Sequence, residues 1–486
     1  MIRNSAATST LKVHADVVII GAGVVGCSIA ERLSHEDVSV VVLERRHDVA
    51  DETSKSNTGI ASCGWLYEAG SLEAKLAVRS AVDWEDRCDR LDVPYRRSGK
   101  IAVALSEEEE SYIPALLAQA KGSGVAVEPL RADEVREMEP EVNPESRAGI
   151  YSGGDGVIDP VRLTVGYATL AAINGVRFFF NAPVTGADLE DERITTVHAV
   201  GVSVSARFVV NAAGLGADSV SEILGAESFW VRPRRGQWLL ADRATARVPK
   251  RIIMGMPTKT SAGAMVTPST HRSILLGPTA EDDDDKYDRS TSAEVSRKVL
   301  GRCAELVPSM REASIIKHFT GLRPNSERLY RIEGSAEVEN VIHACGIRSS
   351  GISTSPAVGE YVVELLKERG LKANPRLGAV DRIPKTPRLS EDFDGEAVAC
   401  EQFGRTVVCA CEKVTALEVH RAMSSALPAQ SVAGVAKRTR ATWGRCQGSA
   451  CMSGVTFIAS LHLGCDAWAV PMGEPGGTIG VARAKT

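Results

Sequence analysis

A strand, a glycine-rich turn, a helix and a second strand within the first fifty residues predict an α/β fold built on a dinucleotide-binding sheet. Strands followed by small-residue turns recur at 206–216 and 341–355, and the strand-like alternation between them, over 226–333, reads as a second domain of α+β character. Six of the eleven cysteines crowd the last fifth of the chain, which predicts a small C-terminal Cys-rich domain.

A chain of 486 residues, 44% hydrophobic, is too long for one core and has apolar material for two or three. Its net charge of -5 leaves no broad positive field for nucleic acid or an anionic membrane surface. No window holds the roughly 18 consecutive apolar residues of a membrane-spanning helix, and the start MIRNSAATSTLKVHAD lacks the apolar core of a secretory signal. The expected location is cytoplasmic, with any membrane contact made through a partner. An odd number of cysteines without an export signal argues against a disulfide framework.

The run ADVVII at 15–20 is apolar on both faces, as a buried parallel strand should be. In the turn that follows, Gly21 permits the tight bend, Gly23 lets backbone approach a pyrophosphate, and Gly26 lets helix and strand pack closely. The helix N-terminus then presents N–H groups and its positive dipole end to phosphate. VSVVVLE ends at Glu44, placed to accept hydrogen bonds from a ribose 2'-hydroxyl.

Small hydroxyl residues and an amide come next, in ETSKSNTGI, and suit a loop along a flavin dinucleotide. Together with GSLEAKLAVRS, this segment resembles the glycine-oxidase-like branch of the D-amino-acid oxidase superfamily. That branch includes glycerol-3-phosphate dehydrogenases and L-2-hydroxyglutarate dehydrogenases. The similarity runs from about 14 to 370 and includes NAAGLGAD, LLGPTAED, GLRPNS and STSPAVGEYV. It implies a discontinuous Rossmann-like FAD-binding domain over 14–90, 150–225 and 334–372, interleaved with an α+β substrate domain over 91–149 and 226–333. It also implies that Val25, Thr53, Ser54, Asn57, Gly59, Ile60, Val184, Ala213, Gly214, Gly346, Gly351 and Ile352 join Gly21, Gly23, Gly26 and Glu44 at the cofactor. Gly346 to Ser355 is expected to be the last FAD loop.

A coarse reading of the middle gives helices near 72–91, 107–122 and 161–174 and strands near 98–105, 176–181, 194–202 and 206–211. Strand-like alternation continues in RRGQWLLAD, GAMVTPST and SILLGPTAED. The acidic run Glu281 to Asp285 reads as a solvated face. Arg323 in GLRPNSERLYRIEG is the candidate for gripping a substrate carboxylate or phosphate, because a guanidinium fork holds two oxygens at once. Two positions depart from the resembled pattern. Ser62 stands, beside Cys63, where relatives often carry a His, and Arg348 where an acidic residue is common. Ser62 and Arg348 therefore join Arg323 as candidates at the reacting centre, with His318 and His271 as candidate proton acceptors.

A polar, Pro-containing stretch marks a linker at 373–404, followed by a Cys-rich domain at 405–470 and a tail at 471–486. Cys409-Ala410-Cys411 and the Cys446/Cys451 pair supply four thiolates, which suit a structural zinc or a 2Fe-2S cluster on ligand count alone. A redox disulfide between Cys446 and Cys451 is the third reading. VVCACEKVT and KRTRATWGRCQGSAC resemble the ferredoxin-like domain of large glycerol-3-phosphate dehydrogenase subunits, which implies a 2Fe-2S cluster. Lys437, Arg438, Arg440 and Arg445 are expected to offset the cluster's negative charge, with docking of an acidic partner or a solvated face as the alternatives. Cys400 and Cys465 are expected to be incidental thiols.

The expected reaction is hydride transfer from a small anionic substrate to flavin N5. Electrons then leave through the cluster to an acceptor protein or quinone. Glycerol 3-phosphate is the favoured substrate, with L-2-hydroxyglutarate or another 2-hydroxy acid, and an amino acid or amine, as alternatives. A role as the flavin-binding subunit of a larger complex, with a partner subunit, also stays open.

Overall fold

The computed structural model describes residues 10–244, 247–257, 263–389, 406–474 and 476–480. The opening unit consists of β1 (Leu11–Ile20), α1 (Val24–Ser34) and β2 (Val40–Leu43). β1 pairs in parallel with β2 on one side and with β3 (Val202–Asn211) on the other. Successive side chains of β1 point to opposite faces. Val17 and Ile19 enter one core with α1, whereas Val18 and Ile20 enter a second core under the antiparallel strands at 184–190 and 193–199. Burial on both faces explains why this strand reads as an unbroken apolar run.

The second sheet is built around β4 (Val231–Ala241) and β5 (Ile315–Ser326), paired antiparallel along most of their length. Strands at 274–277, 265–268, 252–255, 100–104, 148–152 and 128–131 extend it, and the helix Ala293–Leu306 covers its apolar face. The chain returns to the first sheet through β6 (Val341–Cys345), which lies parallel to β3, and then enters α2 (Gly351–Glu368).

Three local readings change. The helical stretch at 72–91 is two helices, Leu72–Ser80 and Trp84–Arg90, and 107–122 breaks at Tyr112, where Pro114 needs a helix start. The expected loop from Gly346 to Ser355 is already helical at Gly351. Pro356 inside α2 cannot donate to the Ile352 carbonyl, and the Ser355 hydroxyl donates to it instead at 3.1 Å. The described part of the linker is pinned to the first domain. Arg376 donates to the carbonyls of Glu36 and Val38, and Arg388 pairs with Asp92. Cys400 and the rest of the linker to residue 404 lie outside the described residues, as does the tail beyond 480.

The C-terminal unit holds a short strand pair, Val407–Cys409 with Val414–Thr415, the helix Ala416–Ser424, α3 (Val432–Thr439) and α4 (Met452–Leu463) around its own core. Backbone pairing of Val432 with Pro471 and of Ala433 with Met472 ties the start of the tail to α3. Among the described residues no helix is long and apolar enough to cross a membrane.

Candidate active site

A cavity of about 870 Å³ runs from the first glycine-rich turn to the second sheet. The glycines that shape its inner end are required by contact. A Cβ on Gly21, which has φ +105°, would come within 2.6 Å of the Ala212 carbonyl, and one on Gly26 within 2.0 Å of the Gly21 carbonyl. Gly26 therefore packs helix on strand and does not line the cavity. Glu44 accepts from the Ala22 N–H at 2.7 Å and the Arg46 N–H at 2.8 Å. Burial raises its carboxyl, and those two N–H groups oppose the rise. Each oxygen keeps a lone pair for a ribose hydroxyl in the cavity wall.

The loop 53–62 is held from three sides. Ser54 accepts from the Val24 N–H at 2.9 Å, fixing the loop to the start of α1. Thr53 donates to the Leu322 carbonyl of β5 at 2.7 Å, and Gly321 opposite has no room for a Cβ, which would lie 2.1 Å from the Ser56 carbonyl. Asn57 spends its amide inside the loop, donating to the Ser54 carbonyl and accepting from the Gly59 N–H, both at 2.8 Å. Gly59 itself packs against the Ile158 carbonyl and is not in the wall. Val25, Ile60, Ser62, Val184, Ala213, Gly214, Gly346, Gly351 and Ile352 all line the cavity.

Its far end is cationic. Arg323 projects from β5 beside Gly236, whose missing side chain makes room for it, and lies 5.3 Å from the Trp238 ring. It donates to the Thr279 carbonyl at 3.2 Å. Burial, then Arg234 across the β4–β5 register and Arg348, bring Arg323 down to about 10. Among the described residues neither Arg323 nor Arg348 has a carboxylate within 4.0 Å, whereas Arg234 pairs with Asp282 at 2.6 Å. The acidic run is thus engaged by arginines of β4: Asp282 by Arg234, Asp283 by Arg235 and Asp284 by Arg232.

Sequence reasoning missed the polar wall next to Ser62. Lys100 reaches the cavity and pairs with fully buried Asp155 at 2.8 Å, and Asp155 also accepts from the Trp65 indole at 2.9 Å. Tyr67 lines the same wall. Burial, and then Glu73, push its phenol up, against the effect of the Ser353 and Ser62 hydroxyls. Pairing of Lys100 with Ser152 in the second sheet brings Asp155 to Lys100, and the loop after Ile60–Ala61 adds Trp65 and Tyr67. Two candidates fall elsewhere. His318 faces the helix Ala293–Leu306 and meets the Ser296 hydroxyl at 3.0 Å, outside the cavity, because alternate residues of β5 face opposite sides. His271 is held by Asp159 at 2.9 Å and also lies outside it.

In the C-terminal unit Cys409 and Cys451 are buried, and Cys411 and Cys446 are partly exposed. The thiols meet as two pairs, Cys411 with Cys446 and Cys409 with Cys451, and backbone N–H groups address three of the sulfurs. The Ala450 N–H is the main reason that Cys446 falls to about 7, and burial lifts Cys451 to about 11. Among the described residues no group of three or more His, Cys, Asp or Glu side chains is disposed to hold a single metal ion. Four thiols gathered from two short segments match the ligand count of a 2Fe-2S cluster as well as that of a single zinc ion.

The model of the FAD dependent oxidoreductase (DAO) family matches residues 16–365. The chain is an FAD dependent oxidoreductase. A BFD-like [2Fe-2S] binding domain matches residues 407–458, so the enzyme carries FAD and a 2Fe-2S cluster on Cys-rich sequence of its own. The oxidoreductase is 33% identical to a glycerol 3-phosphate dehydrogenase of Caloramator mitchellensis over 93% of this chain and 95% of that one. It is 28% identical to a glycerol 3-phosphate oxidase of Mycoplasma pneumoniae over 72% of this chain and 94% of the relative. The structure of dithionite-reduced L-alpha-glycerophosphate oxidase from Mycoplasma pneumoniae, with FAD bound, superposes with a TM-score of 0.71 at 26% identity. That match covers 77% of this chain and 99% of the other.

The basic residues of the cluster domain are differently employed from the expectation. Lys437, Arg438 and Arg445 are spent on acids of the other domains: Asp51, Asp48 and Asp242 at 2.6, 2.7 and 2.7 Å. Arg440 pairs with Glu412 at 3.0 Å, near Asp159 at 3.8 Å. Burial would raise Asp48, but Arg438 and Lys437 hold it at about 2. These side chains dock the domain within the chain, which a sequence pattern of like charges cannot reveal.

Proposed function

We propose that the oxidoreductase oxidises glycerol 3-phosphate and delivers the electrons through its 2Fe-2S cluster to an external acceptor, a protein or a quinone. The observation that carries this reading is the cationic end of the cavity, where Arg323 and Arg348 line the wall with no carboxylate within 4.0 Å among the described residues, Glu73 acting on Arg348 only from farther off. A phosphate dianion supplies the missing charge and enough acceptor oxygens for two guanidinium groups. The likeness to glycerol 3-phosphate dehydrogenase and oxidase supports the same substrate.

Bound FAD supplies a two-electron acceptor for the hydride. The chain's residues do the rest. Arg323 and Arg348 hold the phosphate and so fix the reacting carbon, and the loop 53–62 and Gly346 to Ile352 position the cofactor. Lys100, oriented by Asp155, places a positive charge in the cavity wall, where it would stabilise negative charge building on the substrate oxygen. Ser62 and the Tyr67 phenol supply the adjacent hydrogen-bonding groups in place of a histidine.

Steady-state turnover with an artificial one-electron acceptor tests the reading. Glycerol 3-phosphate should exceed proline, which has no anionic group remote from its reacting carbon, in kcat/KM by at least about 10², because a site built for a charged group discriminates strongly against a substrate that leaves it unpaired. It should also exceed 2-hydroxyglutarate, whose distal carboxylate offers less charge and fewer oxygens than a phosphate. Turnover with proline alone overturns it.

A further inference from the structure

Asp51 belongs to two sites at once. It lines the cofactor cavity, and its carboxylate accepts from Lys437 of the cluster domain at 2.6 Å. Lys437 is almost wholly enclosed, at 2% exposure, and also donates to the Val49 carbonyl at 2.9 Å. One residue on, Arg438 grips both oxygens of Asp48, at 2.7 and 3.2 Å, while donating to the Leu427 carbonyl of its own domain. Gly434 on the preceding turn of α3 is free of a side chain where a Cβ would stand 3.1 Å from the Asp48 carboxylate. The segment 48–51, which directly follows the strand and turn carrying Glu44, is therefore clamped between the FAD cavity and α3.

We propose that Lys437 and Arg438 are positioning residues for internal electron transfer, holding the cluster domain against the cofactor domain through Asp51 and Asp48. The inference rests on the FAD and 2Fe-2S assignment and not on the identity of the substrate. When bound, FAD would supply two electrons and a 2Fe-2S centre would take them one at a time for an external one-electron acceptor, each acceptor equivalent being reduced by one electron. Both transfers require the two domains to keep one separation. Asp51 also meets Lys55 at 3.1 Å and His47 at 3.0 Å within its own domain, so losing Lys437 removes the tie between the domains rather than all of its pairing. Removing a partner from a dry interface should shift the population away from the docked arrangement.

The test is flash photoreduction of the holoenzyme by a deazaflavin donor, which needs no substrate, followed by the flavin absorbance and the cluster's EPR signal. Lys437→Met should keep its flavin, iron and initial flavin reduction, but slow flavin-to-cluster transfer by about tenfold or more, and Lys437→Arg should restore most of the rate. If Lys437→Met fails to fold or to load, Asp48→Asn, which leaves the cluster domain's sequence intact, should show the same slowing. A wild-type transfer rate in whichever of these two variants is fully loaded overturns the proposal.

Discussion

Replacing Arg323 by Met should weaken catalysis and strengthen the free protein at the same time. At neutral pH Arg323 is held charged among Arg234 and Arg348 in a partly dehydrated place, which brings it from 12.5 to about 10. That depression corresponds to about 3 kcal/mol of native-state cost before screening. Against it stand the Thr279 hydrogen bond and the contact with Trp238, together about 2 kcal/mol. The net is an apoprotein more stable by about 1 kcal/mol, a typical stability-function trade-off. With glycerol 3-phosphate, loss of a charge-assisted grip on the phosphate should lower kcat/KM by about 10² to 10³. The assays are thermal melting of the flavin-free protein and steady-state kinetics on one preparation. A lower melting temperature together with unchanged kcat/KM would refute the reasoning, because Arg323 would then be a structural residue.

Three further outcomes follow from the geometry. Glu44→Ala removes the acceptor for a ribose hydroxyl and strands the Ala22 N–H, so fluorescence titration of the apoprotein should show FAD affinity reduced by about 10 to 100-fold. Cys446→Ser should abolish or severely deplete bound iron in anaerobically purified protein while leaving flavin content unchanged; zinc in place of iron in the wild type would undo the cluster assignment. Asp48 is held at about 2, below its unfolded value near 3.9, so its ion pairs stabilise the native state above about pH 4 and that contribution is lost as pH falls through 2. The stability difference between wild type and Asp48→Asn, about 2 to 3 kcal/mol at pH 5, should therefore shrink to roughly a few tenths of a kcal/mol by pH 2; a constant difference would count against the pairing.

The parts legible from sequence are those whose signal is local. β1, its glycine turn, α1, β2 and Glu44 occupy one continuous stretch, in which Gly21 and Gly26 each meet a backbone atom that a side chain would strike. The four cysteines are similarly announced by two short motifs. What depended on pairing between distant strands was not readable. Lys100 meets Asp155, and Arg234 meets Arg323, only through sheet register, and His318 lost its place at the reacting centre because it lies on the opposite face of β5. The role of Lys437 and Arg438 required the position of Asp48 and Asp51 nearly four hundred residues earlier in the chain.

Anaerobic mixing of the holoenzyme with glycerol 3-phosphate tests the central claim most directly, with flavin absorbance and the cluster's EPR signal followed in one experiment. The account predicts that the flavin bleaches and that a reduced-cluster signal then appears in the same chain. Bleaching by proline but not by glycerol 3-phosphate, or a fully loaded cluster that stays oxidised while the flavin is reduced, would contradict it.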